Sequence, residues 1–387
     1  MLAVEVRSSD TADAAARELD RAGAVLTIDL DAIVANHRLL RARFTGAHCA
    51  AVVKADAYGL GAARVAPALA AAGCWQFFVA HLDEGIALRP HLPAGAEIFV
   101  LHGPPPGTER DVTAHHLTPV LNSLEQIAGW HAAARRAGRP LPAVVQVDTG
   151  MARLGLSAAE LDRITDDPSL LDGVALRAVM SHLASAEDQG NPANAAQLAR
   201  FRDARRRLPP APGSFANSSG IFLGVEFHAD LARPGAALYG VAPVAGAANP
   251  MRPVVRLQGR VIQLRDVPAG TAVGYGGAFT TERPTRIATV SVGYADGFLR
   301  SLGNRGAAHL DGVALPILGR VSMDTITLDA TAVPEGLIGH GTAVDLIGPH
   351  QTVDDVAALA GTIGYEILTS LGRRYARRYL STEGLPA

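Results

Sequence analysis

Lys54 closes the apolar run Cys49-Ala-Ala-Val-Val53 and opens the glycine-bearing turn Ala55-Asp-Ala-Tyr58-Gly-Leu-Gly61. An ammonium at the mouth of a buried strand is costly to desolvate, so its pKa falls and its amine becomes usable as a nucleophile or base. A Schiff-base lysine therefore stands beside the plainer reading, a lysine whose stem snorkels to solvent at a strand end. Farther on, Ala216-Asn-Ser-Ser-Gly220 and Ala232-Arg-Pro-Gly-Ala-Ala-Leu-Tyr-Gly240 carry hydroxyls and bare amides. Ser218 offers a donor, and Gly235 and Ala236, just after Pro234, can open a helix with unpaired N–H groups. Such groups cradle phosphate, although ordinary helix starts look the same. Tyr58, four residues past Lys54, could reach the same anion. A lysine and a phosphate cradle on one rim together point to pyridoxal phosphate, whose aldehyde needs the amine and whose phosphate needs the cradle.

These residues need a scaffold that gathers distant loops. From about residue 27 to 240 a short apolar run, a polar residue or glycine, and an Ala/Leu/Arg-rich helical stretch recur. The runs are Ala50 to Val53, Phe77 to Ala80, Ile98 to Leu101, Thr118 to Leu121, Val144 to Val147, Leu176 to Met180, Gly213 to Ala216 and Ala229 to Ala232, the last two being weak strands. Strands alternating with helices imply a parallel sheet, and a count near eight favours closure into an α/β fold of the (β/α)8 TIM-barrel type. Lys54, His81, His102, Asn122, Asp148, His182, Asn217 and Arg233 would then line one rim. After the Pro/Gly/Ala segment Val241 to Pro253, β-branched runs at Val254 to Leu264, Thr285 to Val292, Val313 to Leu318, Thr325 to Leu328 and Ala343 to Ile347 predict a predominantly β C-terminal domain. The expected domains are 23–245, the barrel, and 246–387, the β domain; residues 1–22 could join either. Thr352 to about Leu380 reads as helical, with Arg373, Arg374, Arg377 and Arg378 on a solvated face.

Composition narrows the partners. A net charge of -2 with 19% charged residues attracts neither nucleic acid nor an anionic membrane surface. Cys49 and Cys74 are the only cysteines, which fits a reducing compartment and excludes a disulfide scaffold. The opening residues have no basic n-region or long apolar core, and no later stretch approaches a membrane span, so a cytoplasmic protein is expected. Gly59-Leu-Gly61-Ala-Ala-Arg64 imitates a dinucleotide-binding turn, with Asp83 or Glu84 as the acid, but Arg64 replaces the glycine that lets helix and strand pack closely. The 13 histidines form no HExxH or paired ligand set, so no metal site is expected.

Val52-Val-Lys54-Ala-Asp-Ala-Tyr58-Gly-Leu-Gly61 resembles the cofactor-lysine motif of the alanine racemases. Further matches follow in that family's order: Val147-Asp-Thr-Gly-Met-Ala-Arg153-Leu-Gly155, Ser181-His182, Ala216-Asn217-Ser218, Arg233-Pro-Gly235-Ala-Ala-Leu-Tyr239-Gly240, Gly274-Tyr275-Gly276, Val292-Gly-Tyr294-Ala-Asp-Gly297 and Gly319-Arg-Val-Ser-Met323-Asp324. The resemblance implies a pyridoxal phosphate enzyme interconverting L- and D-alanine for peptidoglycan, acting as a homodimer whose sites draw on both subunits. Lys54 would hold the cofactor and serve as base on one face of the substrate, and Tyr275, from the second subunit, would serve on the other. Tyr58, His182, Asn217, Ser218, Arg233, Gly235, Ala236 and Tyr239 would bind the cofactor. Arg153, aided by Met323, would pair with the substrate carboxylate, and Tyr294 and Asp324 would stand at the entrance.

This sequence departs from the family pattern at Gln146, where many relatives carry a carbamylated lysine that props the carboxylate-binding arginine. Gln146 is therefore expected to hydrogen-bond Arg153 directly or through a bound anion. A C-terminal tyrosine is also replaced, since Arg373 and Arg374 stand where it would follow Tyr365. Rival readings are a racemase of broader substrate range, a barrel-type pyridoxal phosphate decarboxylase, and a non-catalytic pyridoxal phosphate carrier. The carriers resemble the first domain alone, so the β domain bearing Tyr275 argues against the last.

Overall fold

Seven short parallel strands pair in the order in which the chain makes them: Ala51–Val52, Gln76–Val79, Glu97–Val100, Thr118–Leu121, Leu141–Gln146, Val174–Met180 and Gly213–Ser214. They belong to a computed structural model that describes residues 17–382. An eighth strand, Leu231–Ala232, pairs in parallel with His48–Cys49, the lead-in to the first. On its other side Asn217 bridges to Arg233, and the Arg233 N–H donates to the Ala216 carbonyl. The ring of strands is thereby closed, giving the expected (β/α)8 barrel. The closing strands are only two residues long, which is why they read as weak.

Near-continuous apolar runs form these strands because a barrel sheet is covered on both faces. Phe77, Phe78, Val100, Val120 and Val145 are fully buried. Phe78 and Phe99 stack on adjacent strands with centroids 4.6 Å apart. Burying a side chain of that size contributes about 1.5–3 kcal/mol. Cys49 and Cys74 are free and buried at the end of the barrel where strands begin, and desolvation pushes both thiols up to about 12, which leaves them inert.

The described residues divide into two compact units, one spanning Ile33–Arg252 and the other joining residues 17–32 to residues 253–382. In the second, the strand Val255–Val267 pairs antiparallel with Thr285–Val290, Ala343–Ile347 and Ala24–Asp29. Ala24–Asp29, counted with the barrel in the sequence reading, is thus held by the β sheet. Arg260 donates to the Leu19 and Ala22 carbonyls, so residues 17–22 join the same unit; residues 1–16 lie outside the described residues. The hairpin Ala307–Leu310 with Val313–Pro316 turns at Asp311-Gly312, both at positive φ, as a tight two-residue hairpin requires.

The helical reading of Thr352 to Leu380 needs correction. Val353–Ala360 and Gly364–Ser370 are helices, but Ala376–Leu380 is a strand parallel to Ala24–Asp29. Pairing with a segment some 350 positions away overrides the local helix preference of Ala and Arg. Arg378 donates to Thr27 Oγ1 at 2.9 Å across that pairing.

Candidate active site

Lys54 follows the first barrel strand, and the next four residues, Ala55, Asp56, Ala57 and Tyr58, all have φ between 52° and 55°. A left-handed turn built from L-residues costs roughly 1–2 kcal/mol per residue, so other contacts must hold it. The Ala57 N–H donates to the Val53 carbonyl, Gly59 to Ala55, and Gly61 to Asp56. Asp56 Oδ1 accepts from the Ala62 N–H at 2.7 Å, and Glu84 Oε1 accepts from the Ala55 N–H at 2.6 Å. Ala57 is fully buried while Ala55 is exposed, which separates two effects. Ala57→Val adds methyls to a packed site and β-branching at positive φ, and should cost about 2–4 kcal/mol in urea unfolding. Ala55→Gly relieves strain without loss of packing and should instead raise the unfolding midpoint.

A cavity of about 300 Å³ lies inside the rim, lined by Lys54, His102, Gln146, Arg153, His182 and Arg233 among others. Three cationic side chains and no carboxylate line it, so it suits an anion. Desolvation lowers the Lys54 pKa, and the Arg153 charge acts in the same direction. Arg233 is buried at the floor, where it donates to Ser214 Oγ at 2.5 Å, to the Ser181 carbonyl at 2.7 Å and to His182 Nδ1 at 3.4 Å. Burial pulls its guanidinium down to about 9, which still leaves it charged at neutral pH. Desolvation, followed by the neighbouring Arg233, Arg153 and Lys54 charges, pulls His182 to about 3. His182 is therefore neutral; the Arg233 donor fixes Nδ1 as acceptor and puts the ring proton on Nε2.

Arg153 sits on a loop organised by Asp148, whose carboxylate accepts from the Gly150, Met151 and Ala152 N–H groups. Partial burial would raise that carboxyl, but the three donors outweigh it and hold the pKa below the usual range. The expected direct bond from Gln146 to Arg153 is not formed. The buried Gln146 amide donates to the Leu154 carbonyl at 3.1 Å, so it braces the backbone beside Arg153 rather than the guanidinium. Gln197, which belongs to no motif, is buried and ties this loop to the next. It donates to Thr149 Oγ1 and to the His182 carbonyl, and accepts from the Ala184 N–H.

Ser218, Gly235 and Tyr58 come together. Ser218 Oγ accepts from the Gly235 N–H at 2.9 Å and the Ala237 N–H at 3.3 Å, which leaves its own O–H free to donate. Asn217 Oδ1 caps the Gly220 N–H. A Cβ at Gly235 would lie 2.4 Å from Tyr58 Oη, so the bare glycine lets that hydroxyl approach the loop. Ala236–Tyr239 is a single 3-10 turn. Tyr239 is fully buried and donates to the Val52 carbonyl at 2.9 Å, with its ring 4.8 Å from that of Tyr58. It supports the strand that carries Lys54. Of the remaining rim residues, Asn122 spends its amide on the Leu101 and Val120 carbonyls, and His81 meets His102 edge-on, centroids 4.5 Å apart.

Tyr275, Tyr294, Met323 and Asp324 lie in the β unit. Tyr275 opens a 3-10 turn flanked by Gly274 and Gly276 at positive φ, and is 70% exposed. Tyr294 and Met323 are also exposed, and they neighbour each other: the Tyr294 N–H donates to the Ser322 carbonyl and the Ala295 N–H to that of Met323. Asp324 pairs with Arg374, which also reaches Asp296. This unit thus presents an aromatic, thioether-bearing surface that its own core does not use.

Comparison with known proteins matches residues 28–243 to the alanine racemase N-terminal domain and residues 254–379 to the alanine racemase C-terminal domain. The chain belongs to the alanine racemase family. It is 57% identical to a catabolic alanine racemase of Agrobacterium fabrum, over 94% of this chain and 93% of that one. It is 52% identical to the alanine racemase of Brucella canis, over 94% and 95%. The crystal structure of alanine racemase from Bartonella henselae with covalently bound pyridoxal phosphate is similar at a TM-score of 0.90 and 45% identity, covering 93% of this chain and all of that one. That of the biosynthetic alanine racemase from Pseudomonas aeruginosa reaches 0.87 at 35% identity.

Proposed function

We propose that this protein racemises alanine with pyridoxal phosphate, using Lys54 and the Tyr275 of a second copy as acid/base groups on opposite faces of the substrate. The observation that carries the reading is a cavity lined by an amine of lowered pKa and two arginines. The residues fit the cofactor. Lys54 is the only lysine in the sequence, so it alone can supply a side-chain amine. The Ser218 hydroxyl and Tyr58 Oη both lie against the Gly235 backbone, and with the Ala236 N–H that follows it they would hold the phosphate.

When bound, the cofactor supplies an electron sink that makes the substrate Cα proton acidic. The protein's own residues do the rest. Arg153 holds the substrate carboxylate with a planar fork, backed by Met323 of the second copy. Arg233 would face the ring nitrogen; a guanidinium only donates, so it keeps that nitrogen unprotonated and the sink weak. Lys54 takes or returns the proton on one face and Tyr275 on the other, with neutral His182 relaying orientation from Arg233. Tyr294 and Asp324 would narrow the entrance.

Mirror symmetry makes the two enantiomers equal at equilibrium, so consumption of one decides the direction of flow. Supply of D-alanine for peptidoglycan is one outcome. The catabolic names of relatives at 57% and 54% identity favour a second, entry of D-alanine into breakdown. Incubation of the purified protein with L-alanine in deuterated water should give loss of optical rotation, deuterium at Cα and no carbon dioxide. Gas release would favour a decarboxylase, and an absence of exchange a carrier.

A further inference from the structure

Glu84 lies three residues beyond the second rim position, in the first turn of the helix Leu82–Leu88. Its Oε2 accepts from the Ala80 and His81 N–H groups at 2.7 and 3.0 Å, which is ordinary capping of its own helix. Its Oε1 accepts from the Ala55 N–H at 2.6 Å, 29 residues away, and no capping rule asks for that. Ala55 is the first residue of the left-handed turn and the immediate neighbour of Lys54. One carboxylate thus joins the loops after the first and second strands. His81, whose N–H it also holds, meets His102 of the third loop edge-on.

We propose that Glu84 is a positioning residue for the racemase reaction. Its carboxylate clamps the strained turn so that Lys54 stays on the pocket wall, and it is the anion set against an otherwise cationic pocket. The inference rests on Lys54 being the working amine, as argued above. Two facts support the electrostatic half: no carboxylate lines the cavity, and among the charges acting on Lys54, Glu84 alone favours the ammonium while Arg153 and Arg233 oppose it. The mechanical half follows from the strain. Four left-handed L-residues do not persist without external partners, and the bond to Ala55 is a charge-assisted one at the turn's first amide.

Because Lys54 is the only lysine, full-length protein grown on lysine carrying carbon-13 at Cε gives one side-chain signal, whose titration reads this amine in protein stripped of cofactor. Glu84→Gln should lower the titration midpoint by about half a unit to one unit, since a neutral amide no longer favours the ammonium. The same variant should speed hydrogen exchange at the Ala55 amide about tenfold, because an amide cannot accept on both sides of the clamp. Glu84→Asp keeps the charge but is one methylene short, and should restore the midpoint while leaving Ala55 poorly protected. In the cofactor-loaded enzyme, Glu84→Gln should reduce kcat with KM nearly unchanged. Wild-type titration and wild-type Ala55 protection in Glu84→Gln would overturn the proposal. The signal needs neither cofactor nor turnover, so it survives if the protein proves not to be a racemase. An active racemase with an unmoved midpoint and unmoved exchange sinks only the role of Glu84.

Discussion

Lys54→Arg should reduce alanine racemisation by at least about 10,000-fold, the combined loss of covalent cofactor attachment and of one proton-transfer group. The variant is demanding because it preserves length and charge. A guanidinium stays protonated at any working pH and offers no free amine. With no second lysine in the chain, no neighbouring side chain can substitute. Borohydride treatment of the cofactor-loaded wild type should fix a reduced adduct on the peptide containing Lys54 and on no other. In Lys54→Arg that adduct should vanish while the fold remains, since the stem of residue 54 is only partly buried and its strand is held by Val52, Val53 and Tyr239. Activity within about tenfold of wild type would mean that the amine is a spectator.

Tyr275→Phe should be the second most damaging change, lowering racemisation by about 100- to 10,000-fold, the range for one general acid/base group. Its signature should be asymmetric. With the phenol gone, Lys54 still exchanges the proton on its own face, so one enantiomer should pick up deuterium without inverting while the other exchanges slowly. Stability should barely change, within about 0.5 kcal/mol, because the ring is 70% exposed. Equal loss of exchange from both enantiomers would instead mean that Tyr275 acts on binding.

The barrel was legible because each strand is a buried apolar run ending in a polar rim residue, a pattern set by local chemistry. The β runs after Pro253 were legible for the same reason. The C-terminal strand Ala376–Leu380 was not, because its partner Ala24–Asp29 lies at the other end of the chain and its Ala/Arg composition favours a helix. The left-handed turn was hidden as well: Ala-Asp-Ala-Tyr carries no glycine and reads as the start of an ordinary helix. Lys54, Arg153, Arg233 and the Ser218–Gly235 pair stood out because their residue types and spacing match the chemistry proposed for them. Glu84 and Gln197 act on backbone amides and carbonyls of distant loops, a role that leaves no motif. For Gln146 the direct bond to Arg153 is not formed, and the Leu154 carbonyl that its amide reaches instead has no signal in the sequence.

Each site is proposed to take its two acid/base groups from different chains, and mixing of subunits decides this. Equal amounts of inactive Lys54→Arg and inactive Tyr275→Phe protein, dissociated and reassembled together, form mixed dimers. In these, one site should contain both altered residues and the other site neither. Recovery of roughly a quarter of wild-type activity is expected, half the dimers being mixed and each carrying one intact site. No recovery despite demonstrated exchange of subunits would show that Lys54 and Tyr275 serve the same site from one chain, and would contradict it.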